Sequence, residues 1–157
     1  GGFHVVVETP RGSPFKLALD PRLGVLVLRR PLPLGFAWPY DFGFVPSTEA
    51  PDGDPVDAVI LWDAATPAGV VVPCRALGVL QLDQEHGGRR VRNDRIVAAP
   101  LAWPRGAELE TLEDVPARVR DELAHFATSS VWFESKDPRV LGWGGPDAAE
   151  ALLRPRG

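Results

Sequence analysis

The chain is short of cysteine, with Cys74 alone, so no intrachain disulfide can form and a reducing compartment is the natural expectation. As a lone thiol in the apolar stretch GVVVPCRALGVLQL, Cys74 reads as a small core residue. No uninterrupted apolar run approaches the ~18 residues that a membrane-spanning helix needs. The opening GGFHVVVETP also lacks the charged-then-apolar plan of a secretory signal, so a cytoplasmic protein without membrane association is expected. A basic surplus is missing too: 17 Lys and Arg against 21 Asp and Glu leave a net charge of −4, which gives no general attraction for nucleic acid. Repeats, low-complexity tracts and linker-like breaks are absent, and the 157 residues read as one domain, 1–157, large enough to bury a sizeable core.

What is present is apolar sequence in short pieces. Sixteen Gly and 17 Pro punctuate the chain, favouring short strands and turns over long helices. Runs rich in Val, Leu and Ile at 3–8, 15–19, 24–29, 57–62, 69–73, 75–82 and 95–99 predict strands. Asp20-Pro21 and Leu23-Gly24 mark a turn between the second and third runs, which suggests a meander over residues 3–30. A helix is predicted over 116–127, with Val119, Leu123, Phe126 and Ala127 on one face, Pro116 in its first turn and Asp114 just before it. A second is predicted over 146–155, opened by Pro146 and Asp147 and stopped by Pro155. Strands first and helices gathered late imply an α+β fold, a small barrel with helices packed on it.

The stretch PDGDPVDAVILWD sets Asp52, Asp54 and Asp57 at the mouth of an apolar strand. Crowded carboxylates repel one another unless a cation or hydrogen-bond donors compensate, so a metal ion is the first candidate. An EF-hand fails in the middle of the loop, because Val56 falls where a ligand is needed and no glycine follows it. On spacing alone, a solvated Asp-Gly turn entering the strand accounts for the loop equally well.

The segments around it discriminate. VVVETPRGSPFKLALD, GVLVLRR, FAWPYDFGFVPST, DGDPVDAVIL, PCRALGVLQL, AHF and LGWG follow one another in an order that resembles the soluble family I inorganic pyrophosphatases, over about residues 3–153. The resemblance implies a five-stranded OB-type β-barrel with helices packed outside, and magnesium-dependent hydrolysis of pyrophosphate to two phosphates. It implies that Asp52 and Asp57 ligate Mg²⁺, that Asp54 acts as base toward the attacking water, and that Glu8 joins the metal set. Lys16 and Arg30 become the clamp on pyrophosphate oxygens, Arg as a planar fork and Lys as a point charge. A homo-oligomer, hexameric in bacterial members, is implied as well. For an isolated Lys or Arg beside a strand, a plain surface cation is the alternative.

Departures from the family pattern fall at the site. Lys16 is followed by Leu17 and Ala18 where a carboxylate is expected. Trp38 and Phe42 replace two tyrosines and Asp41 an asparagine, leaving Trp38 as the expected aromatic wall against substrate. Gln84 and Asn93 occupy two expected metal-ligand positions, with Asp83, Glu85 and Asp94 each one residue away, and Arg95 stands for a lysine. Asp94 is taken as the metal ligand from this region and Arg95 as a substrate contact. Ser130 and Val131 replace a phosphate-binding Tyr-Lys pair, and Arg89, Arg90, Arg92 and Arg95 cluster in an inserted hairpin, where a solvated tip is the plainer reading and restored positive charge near the substrate the alternative. Reduced turnover is expected, since losing one electrostatic contact commonly costs on the order of a hundredfold in rate. Two other readings stand beside it: hydrolysis of a larger phosphoanhydride, and a non-catalytic anion- or metal-binding relative. His4, His86 and His125 suggest no other chemistry.

Overall fold

The computed structural model describes residues 2–154; Gly1 and the predicted helix stop at Pro155 lie outside the described residues. Nine strands and two α-helices follow in order: β1 (Phe3–Thr9), β2 (Phe15–Asp20), β3 (Val25–Pro31), β4 (Asp41–Phe44), β5 (Asp57–Ile60), β6 (Val71–His86), β7 (Arg89–Arg92), β8 (Arg95–Pro100), α1 (Ala117–Ser129), β9 (Arg139–Gly144) and α2 (Pro146–Leu153). Hydrogen-bonded neighbours run β1-β4-β5-β8-β6, and β6 pairs with β1 again, so five strands close into a ring. All pairs in it are antiparallel except β5 with β8. This is the OB-type barrel. β7 and β9 extend it on β6, while β2 and β3 form a separate hairpin.

The expected meander over 3–30 is half realised. Gly24 at φ 69 and the Asp20 carboxylate, accepting from the backbone of Arg22 and Leu23, close the β2–β3 turn. β1, however, pairs with β4 and β6, because closing the barrel satisfies both its edges. The runs at 69–73 and 75–82 are one strand, β6, with a bulge between Ala76 and Gly78 against β8.

Period-two alternation with both faces buried explains why β5 and β8 read as continuous apolar runs. Ala58, Ile60, Ile96 and Ala98 join Val5, Val7 and Val79 in the barrel's inner core, where Ala149 of α2 also packs. The intervening Val59, Leu61, Val97 and Ala99 face outward into a second core with Trp38, Phe42 and Leu123 of α1. Asp57 and Arg95 lie two residues before Val59 and Val97, directly opposite each other in the parallel pair. That outward stripe therefore changes from apolar to charged where the strands begin.

Candidate active site

A cavity of about 600 Å³ opens where the stripe becomes charged. The loop after β4 and the start of β5 form its acidic wall, with Asp52, Asp54 and Asp57 lining it. The loop is set locally: Gly53 takes φ 88, Gly53 N–H donates to Ala50 O (2.9 Å), and Ala50 N–H to Asp54 O (2.7 Å). Thr48 Oγ1 donates to Val45 O (2.6 Å) and accepts from Val56 N (2.9 Å), closing its base. Asp52 Oδ1 accepts from Asp54 N at 3.1 Å. Glu8 joins this wall from a bulge at the end of β1, its Oε2 accepting from Leu19 N at 2.7 Å.

The facing wall is cationic. Lys16 of β2 and Arg30 of β3 are cross-strand partners, and a register shift follows immediately after Lys16. Like charges placed directly opposite destabilise a hairpin, and a bulge re-aims side chains. Both residues line the cavity, with Arg29 beside them. Thr9 Oγ1 bonds both N and O of Leu17 (3.1 and 3.0 Å), fixing this hairpin to the barrel. Arg30 is tied further by Nη1 to Ser130 O (3.0 Å) and by an ion pair with Glu134 (3.5 Å).

Burial and mutual repulsion act on the acids. Asp57 is pushed up to about 6 by burial, with Asp52 and Asp54 adding and Arg95 and Lys16 opposing. Burial raises Glu8 to about 7, again reinforced by Asp57 and Asp54. Lys16 is lowered to about 8 by burial, then by Lys136.

Three sequence-derived assignments are not brought to this cavity. Asp94 is turned away: its carboxylate accepts from Leu82 N (3.1 Å) and takes a two-point contact from Arg92 (3.0 and 2.7 Å). A one-residue step reverses side-chain direction, so Asn93 lines the cavity in its place. Trp38 is buried in the outer core, its Nε1 donating to Phe15 O (3.0 Å); Phe42 and Phe44 are the aromatics that line the cavity. Arg95 lies buried with its guanidinium over the Phe42 ring, 5.1 Å from the centroid, and Nε has no hydrogen-bond partner. The hairpin arginines do not line the cavity either. Arg90 is taken by Asp83, Glu85 and Asp137, and Arg92 by Asp94.

Of the other acids near the expected metal positions, Glu85 lines the cavity beside Gln84. His86 reaches its rim as well, whereas His125 is exposed and bonds Ser129 Oγ at 3.2 Å. Sequence reasoning missed Glu134 and Lys136, which enter from the segment between α1 and β9. A signal for Lys136 existed: the 17 cations include two lysines, Lys16 and Lys136, and both line this one cavity.

The donor chemistry fits a hard divalent cation: carboxylate and amide oxygens on one wall, with buried acids whose charge lacks full compensation. Among the described residues no three His, Cys, Asp or Glu close on a single point as a preformed metal cage. Sites that hold an ion by one or two carboxylates, with water and substrate oxygens completing the shell, have this form.

Fold and cavity together define a class: an OB-type barrel carrying a cleft with an acidic wall and a cationic wall. Comparison with known proteins narrows it. The family model described as inorganic pyrophosphatase matches residues 5–155. Proteins named inorganic pyrophosphatase from Nostoc and Thermus thermophilus are each 37% identical to this chain, covering 98% and 96% of it and 88% and 86% of the relatives. Solved inorganic pyrophosphatase structures from Coxiella burnetii and Thermus thermophilus superpose with TM-scores of 0.89 and 0.90 at 31% and 35% identity, covering 99% and 97% of this chain and 95% and 87% of theirs. The chain belongs to the inorganic pyrophosphatase family. No helix among the described residues is long and apolar enough to cross a membrane.

Proposed function

We propose that this chain hydrolyses inorganic pyrophosphate to two phosphates with bound Mg²⁺, as a cytoplasmic homo-oligomer of single-domain, hexamer-type subunits. The observation that carries the reading is the Lys16–Arg30 pair, two cations held side by side on β2 and β3 against the acids Glu8 and Asp57. Such a cleft suits a compact polyanion that arrives with divalent cations.

Asp52, Asp57 and Glu8 are the residues that would hold Mg²⁺. When bound, the ion lowers the pKa of a coordinated water and neutralises charge on the phosphates. Lys16 and Arg30 bind and orient the substrate oxygens, Arg30 with its fork steadied by Ser130 and Glu134. Asp54, exposed at the loop tip, takes the proton of the attacking water as it adds to phosphorus. The bridging P–O bond breaks as the new one forms, and the charge on the leaving phosphate is met by Lys16 and Arg30. Arg95 acts from beneath by favouring the ionised form of Asp57. Asp94 is left out of the metal set and Trp38 out of the substrate contacts, for the reasons of geometry given above.

Amides at Gln84 and Asn93 give weaker charge compensation than carboxylates, so turnover is slow. A second reading is favoured by the apolar part of the lining, Ala18, Leu19, Pro21 and Phe44, which suits a larger organic diphosphate. Phosphate release from pyrophosphate, measured with Mg²⁺ beside a panel of nucleoside and sugar diphosphates, tests both. Preference for pyrophosphate, with Asp54→Asn slower by at least about a hundredfold, is the expected result. Release from no phosphoanhydride would leave only the binding relative.

A further inference from the structure

The segment between α1 and β9 supplies a cation that the sequence reading passed over. Lys136 is half-buried, lines the cavity and has no salt-bridge partner within 4.0 Å among the described residues, whereas Arg90 and Arg92 of the hairpin each have one. Its backbone is held on both sides. Glu85 N, from the end of β6, donates to Lys136 O at 2.6 Å. Arg90 of β7 donates through Nη1 to the backbone O and Oδ2 of Asp137, at 2.9 and 3.0 Å, while also pairing with Asp83 and Glu85. Asp137 itself takes φ 42, a left-handed conformation that needs such support.

Charge at Lys136 is unfavourable without an anion. Burial, then Arg30 and Arg95, disfavour its protonated form, with Glu134 and Asp57 only partly offsetting them. Lysine is also rare here: the other 15 of the 17 cations are arginine, and the two lysines share one cavity.

We propose that Lys136 is a substrate-binding residue whose ammonium takes a phosphate oxygen of the diphosphate, and that Arg90 is the positioning residue that presents it. The inserted hairpin thus contributes to the cationic wall indirectly: its arginine is neutralised by acids and spends its contacts on seating a lysine. This rests on the diphosphate-hydrolase reading of the cavity.

The test is calorimetric titration of the intact protein with methylenediphosphonate and Mg²⁺, together with KM and kcat for pyrophosphate. Lys136→Gln is expected to weaken the analogue at least about tenfold, as for loss of a charged hydrogen bond, with the thermal midpoint unchanged. Lys136→Arg should recover most of that affinity. Arg90→Gln should weaken binding too, and the double variant should be no weaker than Lys136→Gln alone, since Arg90 acts through Lys136. Arg89→Gln, the same charge change at the exposed hairpin tip, should change nothing. Wild-type affinity in Lys136→Gln overturns the proposal, and additive losses in the double variant overturn the role of Arg90. Should the unaltered protein hydrolyse no diphosphate, the hydrolase reading falls by itself. Titration of the same variants with inorganic phosphate then decides Lys136: unchanged affinity rejects it, and a tenfold loss retains it.

Discussion

Single buried residues are matched to their surroundings closely enough for isosteric changes to be informative. Asp41 is fully buried, and its two oxygens accept from Arg11 N (2.9 Å), Trp62 Nε1 (3.0 Å) and Thr66 N (3.1 Å). An asparagine offers one acceptor oxygen and turns two N–H groups toward those donors. Asp41→Asn is therefore expected to destabilise the fold by about 1–3 kcal/mol, read from the urea midpoint. Lys16 gives a pH dependence of definite sign. Its folded-state pKa, lowered to about 8 from 10.5 chiefly by burial, means the native chain sheds this proton before the unfolded chain does. Stability thus gains from about pH 8 upward as the buried charge is lost, while anion affinity falls over the same range. Sulfate, whose own charge is constant there, should bind progressively more weakly above pH 8 without metal. Lys16→Arg should flatten most of that decline; an unchanged profile would show that Lys16 does not face the anion.

Elements were legible in proportion to how local their causes are. Both helices and the β2–β3 hairpin are written in nearby residues, Pro116, Pro146, Asp20 and Gly24, and they form within two residues of the expected bounds where these are described. β4 escaped because DFGF is too short for alternation to register; it is a strand only because β1 and β5 flank it. β9 escaped for a related reason: RVLGWG carries two glycines and becomes extended by pairing along β6. Asp94 meets the same limit, since its carboxylate is turned to Leu82 N and Arg92 while Asn93 lines the cavity. Asp94 and Asn93 are adjacent in sequence, and only the geometry of the β7–β8 connection decides which one points to the cavity. Barrel closure imposes its own demand at Gly43, where a Cβ would lie 1.9 Å from Val6 O. Gly43→Ala is expected to cost about 3 kcal/mol or more, because backbone must move. Urea denaturation of that variant checks it, and a loss below about 0.5 kcal/mol would mean that β1 and β4 can separate freely.

At the scale of the molecule, the barrel serves as a frame on which three segments converge: the aspartate loop, the β2–β3 hairpin and the segment after α1. The sequence disclosed the first two through the spacing of Asp52, Asp54 and Asp57 and the cations Lys16 and Arg30. It did not disclose the third, since Lys136 lies 120 positions beyond Lys16 and nothing local joins them. What the frame achieves is the opposition of charges across one cleft. A crystal soaked in Mn²⁺ with methylenediphosphonate tests that most directly, through anomalous peaks and the oxygens around them. The account requires at least one ion bound by the Asp52 or Asp57 carboxylate and bridged to the analogue, with Lys16 and Arg30 on its far oxygens. Loop carboxylates pointing apart, with no ion beside them at saturating Mn²⁺, would contradict it.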